Sequence, residues 1–255
     1  CCRCYGCFTN HGVQLSKRLA SLDMFDAIGF DADDTLWFSE DSFRRNESRF
    51  VELVSPYVPH GVDVKAALVA TERANLGTYG YGVRSFGLSA VEAAIKLSAN
   101  KIPPEIIHQI LEGVRDHLTE PVRLFDGVVE VLDAVSTTHR IILITKGDLI
   151  HQTRKIEASG LADHFDHVEI VLEKDQKTYR RVLNTLDISP QRFCMVGNSM
   201  KSDMLPVLSL GGFGVHIPHE ILWELEDVDH VPDVDDRFIE LSSLSDFPLW
   251  LANHQ

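Results

Sequence analysis

Beyond residue 120 the apolar positions follow two alternating rhythms. Val128, Val131, Leu132 and Val135 recur at i, i+3, i+4 and i+7, the spacing of a helix with one buried face. Residues 140–144 are then a mostly apolar run of strand length. A helix predicted over 149–159 stops at Gly160, and 167–172 predicts the next strand. Tyr179, Val182, Leu183 and Leu186 share another helical face ahead of Pro190. Residues 193–196 and 214–217 predict two more strands, with a helix between them ending at Gly211-Gly212. Residues 27–30 form a further short apolar run, and 238–241 suits an edge strand in an acidic tail. Short apolar strands alternating with helices predict an α/β fold, a doubly wound Rossmann-like parallel sheet with right-handed crossovers.

One stretch breaks the alternation. Between Phe38 and about Pro121 the chain keeps helical periodicity without a good strand. Phe50, Leu53 and Val54 mark one helix, and Val91, Ala94 and Ile95 another. Pro103-Pro104 opens a third, in which Ile107, Ile110, Leu111 and Val114 share a face. The expected organisation is a leader over 1–23, an α/β core from 24–38 and 122–255, and an α-helical cap subdomain over 39–121. A helical insertion after the first strand would hang over that strand's carboxyl end, where it can exclude water.

Charge narrows the picture. The chain has 24 basic and 38 acidic residues, a formal net charge of −14. That excludes the basic faces used on nucleic acid and on anionic membrane surfaces. No apolar run reaches transmembrane length, and the expected location is cytoplasmic. Cys1, Cys2, Cys4 and Cys7 crowd the start in a spacing that fits no zinc pattern well. Residues 1–23 therefore read as an unstructured leader, with Met24 just ahead of the first convincing strand. Cys194 lies in an apolar run and reads as a small buried hydrophobe.

The candidate chemistry sits where each strand ends. Asp31, Asp33 and Asp34 crowd four positions after the first strand, and such carboxylates repel unless a cation joins them. Asp31 and Asp33 are candidate ligands for Mg²⁺, a hard cation that takes oxygen donors. Thr145 ends the strand that Lys146-Gly147-Asp148 follow, a hydroxyl and exposed amides suited to phosphate oxygens and equally to a helix cap. Lys174 follows the next strand, with Lys177 as a competitor. Asn198, in Gly197-Asn198-Ser199, and Asp203 supply further oxygens, or a turn and cap. In the helical stretch, the segment from Tyr79 to Gly87 offers Tyr81 and Arg84 as candidate contacts to a bound molecule, or as a packed turn.

Taken in order, an Asp-x-Asp-x-Thr, a strand-ending Thr, a Lys and an Asn/Asp cluster resemble the haloacid dehalogenase-like hydrolase superfamily. The likeness runs from Met24 to Pro218, and is greatest to phosphatases with a helical cap inserted after the first motif. The resemblance implies that Asp31 is the nucleophile that becomes an aspartyl phosphate, and that Asp33 is the acid/base, its pKa raised by burial or carboxylate neighbours. It implies that Thr35 shapes the turn, that Thr145, Lys146 and Lys174 bind phosphate, and that Asp31, Asp33, Asn198 and Asp203 hold Mg²⁺. The implied substrate is a small phosphorylated metabolite, and Arg84, from the segment it lies in, is expected to contact the leaving group. A phosphomutase and a catalytically weak phospho-ligand-binding protein are the alternatives. One departure is Asn198, where most members carry aspartate. Retention of Asp33 counts against a dehalogenase.

Overall fold

The computed structural model of the chain describes residues 24–220 and 236–254. The N-terminal cysteine cluster lies outside those residues. Six strands form one sheet in the order β3-β2-β1-β4-β5-β6, and every neighbouring pair is parallel. They are β1 (Ala27–Phe30), β2 (Arg140–Lys146), β3 (His167–Val171), β4 (Phe193–Gly197), β5 (Phe213–His216) and β6 (Phe238–Glu240). The strand runs are almost wholly apolar because both faces are covered. Ile28, Phe30, Ile141, Leu143, Cys194 and Val196 point into one core with α5 (Val128–Ser136), α6 (Leu149–Ser159) and α9 (Phe247–Ala252). Ala27, Ile142, Ile144, Phe193 and Met195 alternate with them and meet α7 (Gln176–Thr185) and α8 (Leu205–Leu208) on the other face. Strand order reverses between β1 and β4, which opens a crevice at their carboxyl ends.

Between β1 and β2 stand α1 (Glu40–Val54), α2 (Val64–Tyr79), α3 (Val83–Leu97) and α4 (Pro104–Thr119). They pack around a cluster of their own that includes Phe50, Val54, Leu68, Phe86, Ala90, Ala94, Ile110 and Val114. Small residues at Ala90, Ala93 and Ala94 let the neighbouring helices approach α3 closely. None of the described helices is long and apolar enough to cross a membrane.

Three elements depart from the sequence reading. Helix α2 carries only two buried residues, Val64 and Leu68, so its apolar stripe is too sparse to show as a helix in the sequence. The expected turn from Tyr79 to Gly87 is only Gly80-Tyr81-Gly82, and Arg84 already belongs to α3. Gly82 starts that helix at φ 104°, where a Cβ would also press within 3.3 Å of the Asp148 amide. The helix expected after β4 is broken into a π turn (Met200–Met204) and the short α8. Pro206, which has no N–H to give, stands at the junction.

Candidate active site

The β1 end disperses its carboxylates instead of gathering them. Asp31 N–H donates to Val196 O at 2.9 Å, so the first carboxylate stands in the β1/β4 crevice. Leu36 N–H returns to Ala32 O at 2.8 Å, closing a turn in which Asp34 takes a left-handed φ of 59°. Asp34 then accepts from the Ser39 and Glu40 amides, serving the start of α1. Asp33 faces α6, where Lys155 pairs with it, Gln152 Nε2 donates at 2.8 Å and Trp37 Nε1 at 2.6 Å. The mutual repulsion read from the sequence is relieved because each carboxylate finds donors of its own.

Asp31 is the centre of a buried charge network. Lys174, 3% exposed, bonds Asp31 Oδ1 and also Asp203 Oδ1 at 2.6 Å. Asp203 Oδ2 accepts from Ser199 N–H at 3.0 Å. Thr35 Oγ1 donates to Asp31 Oδ2 at 3.1 Å and lies 3.4 Å from Asn198 Oδ1, so Thr35 does more than shape the turn. His216 Nε2, 3.0 Å from Asn198 O, pins the loop that presents this amide. Gly197 is required by the same arrangement, because a Cβ there would fall 2.4 Å from Asp203 Oδ2.

Burial raises the Asp31 carboxyl to about 7, with Lys174 opposing the shift and Asp203 adding to it. Burial alone would lower the Lys174 ammonium, but Asp203 and Asp31 more than compensate and it stays protonated. Asp33 corrects an expectation. Burial tends to raise it, yet Lys155, Gln152 and Trp37 together hold it below the ordinary carboxylate range. Its partners are cations and donors, not the carboxylate neighbours the sequence implied.

Most of the predicted residues meet in one cavity of about 150 Å³. Asp31, Asp33, Thr145, Lys146, Lys174, Asn198, Asp203 and Tyr81 line it. Thr145 Oγ1 accepts from Gln152 Nε2 at 3.1 Å, and Lys146, the last residue of β2, bonds Ser202 at 3.0 Å. Lys177 is exposed and Lys174 buried, which decides between the two lysines. Arg84 does not line the cavity. Its guanidinium turns to Asp148, the N-cap of α6, so the expected leaving-group contact gives way to a clasp between helices. Tyr81 Oη donates to Glu173 at 2.5 Å while Lys146 stands over its ring at 4.1 Å.

Asp31 and Asn198 offer hard oxygens to the same Thr35 hydroxyl, which fits Mg²⁺, an ion that keeps several waters and takes few protein ligands. Lysines engage every carboxylate of the implied set: Lys155 meets Asp33, and Lys174 meets both Asp31 and Asp203. Among the described residues, no group of three or more His, Cys, Asp or Glu side chains is placed to hold a metal ion.

Several residues escaped the sequence reading. Lys155, Gln152 and His151 lie on the buried face of α6, while Leu149 and Ile150 at its start are exposed. That inverted polarity was the available signal. His151 and His117 of α4 stand 6.0 Å apart where α4 meets α6, and burial, with the positive charge of Lys155, drops both to about 4.

The profile of haloacid dehalogenase-like hydrolases matches residues 25–211. The chain belongs to that family. A haloacid dehalogenase-like family hydrolase from Xanthomonas campestris is 40% identical over 90% of this chain and 91% of its own, with a TM-score of 0.80. A predicted phosphoglycolate phosphatase from Haemophilus somnus 129PT shares the fold at 18% identity, covering 91% of this chain and 100% of its own, with a TM-score of 0.58. A 2-haloacid dehalogenase from Pseudomonas syringae pv. tomato DC3000 does so at 20% identity, 90% and 99% coverage and a TM-score of 0.60. The last two likenesses speak to fold alone, and they join phosphatase and dehalogenase on one architecture. No curated protein matches the chain.

Proposed function

We propose that this family member hydrolyses small phosphate monoesters through a covalent intermediate on Asp31. The carrying observation is the buried Asp31–Lys174–Asp203 network, which lies in one cavity with Thr145, Lys146 and Asn198. An Asp31 oxygen attacks phosphorus while the ester oxygen departs with a proton from Asp33. Asp33 then takes a proton from water, whose oxygen attacks the aspartyl phosphate and restores Asp31. Lys174 favours the ionised form of Asp31 against its burial and balances phosphoryl charge, and Thr145 with Lys146 receives the remaining oxygens. Asp33 is ionised beside Lys155, which suits the second step. A phosphate dianion entering the cavity raises that carboxyl and readies it for the first.

Asp31 and Asn198 are the residues that would hold Mg²⁺, which supplies further neutralisation of the phosphoryl oxygens when bound. The helices from residues 39–121 serve as the cap over this cavity. Asp33 favours phosphoryl chemistry over dehalogenation, since loss of halide needs no protonated leaving group. The test is a panel of phosphate esters with and without Mg²⁺, following inorganic phosphate. Release to water supports the hydrolase. Transfer to a second hydroxyl favours a phosphomutase, and binding without turnover a phospho-ligand-binding protein.

A further inference from the structure

Asp33 offers its two oxygens unequally. Oδ1 meets both Trp37 Nε1, at 2.6 Å, and Lys155 Nζ, and two donors occupy both of that oxygen's lone pairs. Among the described residues Oδ2 meets Gln152 Nε2 alone, at 2.8 Å. Oδ2 is therefore the oxygen with a lone pair left for a proton, and Gln152 is the group that aims it.

The Gln152 amide is held in one orientation. Its Nε2 also stands 2.8 Å from Lys146 O and 3.1 Å from Thr145 Oγ1. Reversing the amide would set its carbonyl oxygen against the ionised Asp33 carboxylate and the Lys146 carbonyl, neither of which can donate. The side chain is 3% exposed and packs on Gly147, where φ is 146° and a Cβ would lie 3.1 Å from Nε2. This orientation is costly, because Oε1 is buried with no donor among the described residues. Helix α6 does not need the side chain for its first turn, since the Gln152 backbone N–H reaches Asp148 O at 2.9 Å. One amide thus ties the proposed leaving-group acid to Thr145 and Lys146, the residues proposed to receive phosphoryl oxygens.

We propose that Gln152 is a positioning residue of the hydrolysis, holding Asp33 Oδ2 ready to give its proton to the departing ester oxygen. This role rests on the phosphatase reading above. In the first step the bond from Asp31 to phosphorus forms and the ester P–O bond breaks, while the proton on Oδ2 passes to the departing oxygen. Without the Nε2 donor, Asp33 keeps Trp37 and Lys155 on Oδ1, but nothing fixes where Oδ2 points.

Phenyl and 4-nitrophenyl phosphate, nearly alike in size, separate positioning from a general loss of structure. The nitrophenolate leaves with little help from an acid, whereas phenolate needs a proton as the bond breaks. Gln152→Met keeps the length of the side chain and removes the donor. With Mg²⁺ present it is expected to lower kcat/KM about tenfold or more for phenyl phosphate, and the loss for the nitro ester is expected to be at least about threefold smaller. A smaller difference between the two losses, or no loss at all, overturns the proposal, because a helix merely loosened slows both esters alike. Gln152→Ala repeats the comparison if Gln152→Met does not fold. If neither variant folds, the side chain serves the fold and the proposal fails. A wild type that frees phosphate from neither ester overturns the phosphatase reading and this role with it, whereas wild-type turnover with equal losses in the variant overturns the role alone.

Discussion

At the scale of single residues, Lys174 is the group on which the site depends. It stands between two buried carboxylates, and removing one partner of a buried pair costs roughly 3–5 kcal/mol. Lys174→Met should therefore abolish turnover and destabilise the fold. The loss should be larger at pH 8 than at pH 5, because at lower pH the stranded carboxyls take up protons. Denaturant unfolding at the two pH values checks this. Glu40 gives a second residue-scale expectation. Its carboxyl is raised from 4.5 to about 8, so the folded state holds that proton more tightly than the unfolded chain. The stability it contributes is complete below pH 4.5 and is lost as pH rises through 8. Glu40→Gln should therefore be close to wild type at pH 5 and melt several degrees higher at pH 8.5. A constant Tm difference across that range would contradict the buried acid.

At the scale of elements, the turn after β4 couples fold to chemistry. The Gly197 position lies against Asp203, and the π turn brings both the Asp203 and Met204 amides to Ser199 O, at 2.9 and 3.2 Å. Gly197→Ala should displace Asp203 from Lys174, costing about 1–3 kcal/mol of stability and a much larger share of activity. Thermal melts alongside ester hydrolysis measure the two effects. The strands and the core helices were legible because parallel strands covered on both faces are continuously apolar, and helix stops such as Gly160 are local. Helix α2 was not, because only Val64 and Leu68 face its core. The polar face of α6 was not either. His151, Gln152 and Lys155 read as ordinary surface residues until Asp33 is set opposite them.

At the scale of the whole molecule, residues that follow β1, β2, β3 and β4, far apart in the chain, converge because these parallel strands are neighbours and end on one side of the sheet, where strand order reverses between β1 and β4. Order along the sequence revealed which residues meet. It did not reveal how their charges are shared, since Lys155 answering Asp33 and Arg84 answering Asp148 are tertiary pairings without local signature. Tyr81–Glu173 and Arg84–Asp148 join the four-helix stretch to the α/β layer, and residues from both line the cavity that holds the Asp31 carboxylate. Asp31 is the proposed nucleophile toward phosphorus. The most direct test is to quench the Mg²⁺-supplemented protein during turnover of an aryl phosphate and map any phosphoryl adduct by mass spectrometry. An adduct is expected on Asp31 in the wild type, and in Asp31→Asn no adduct, with hydrolysis lowered about a thousandfold or more. An adduct on another residue, or an Asp31→Asn protein as active as the wild type, would contradict it.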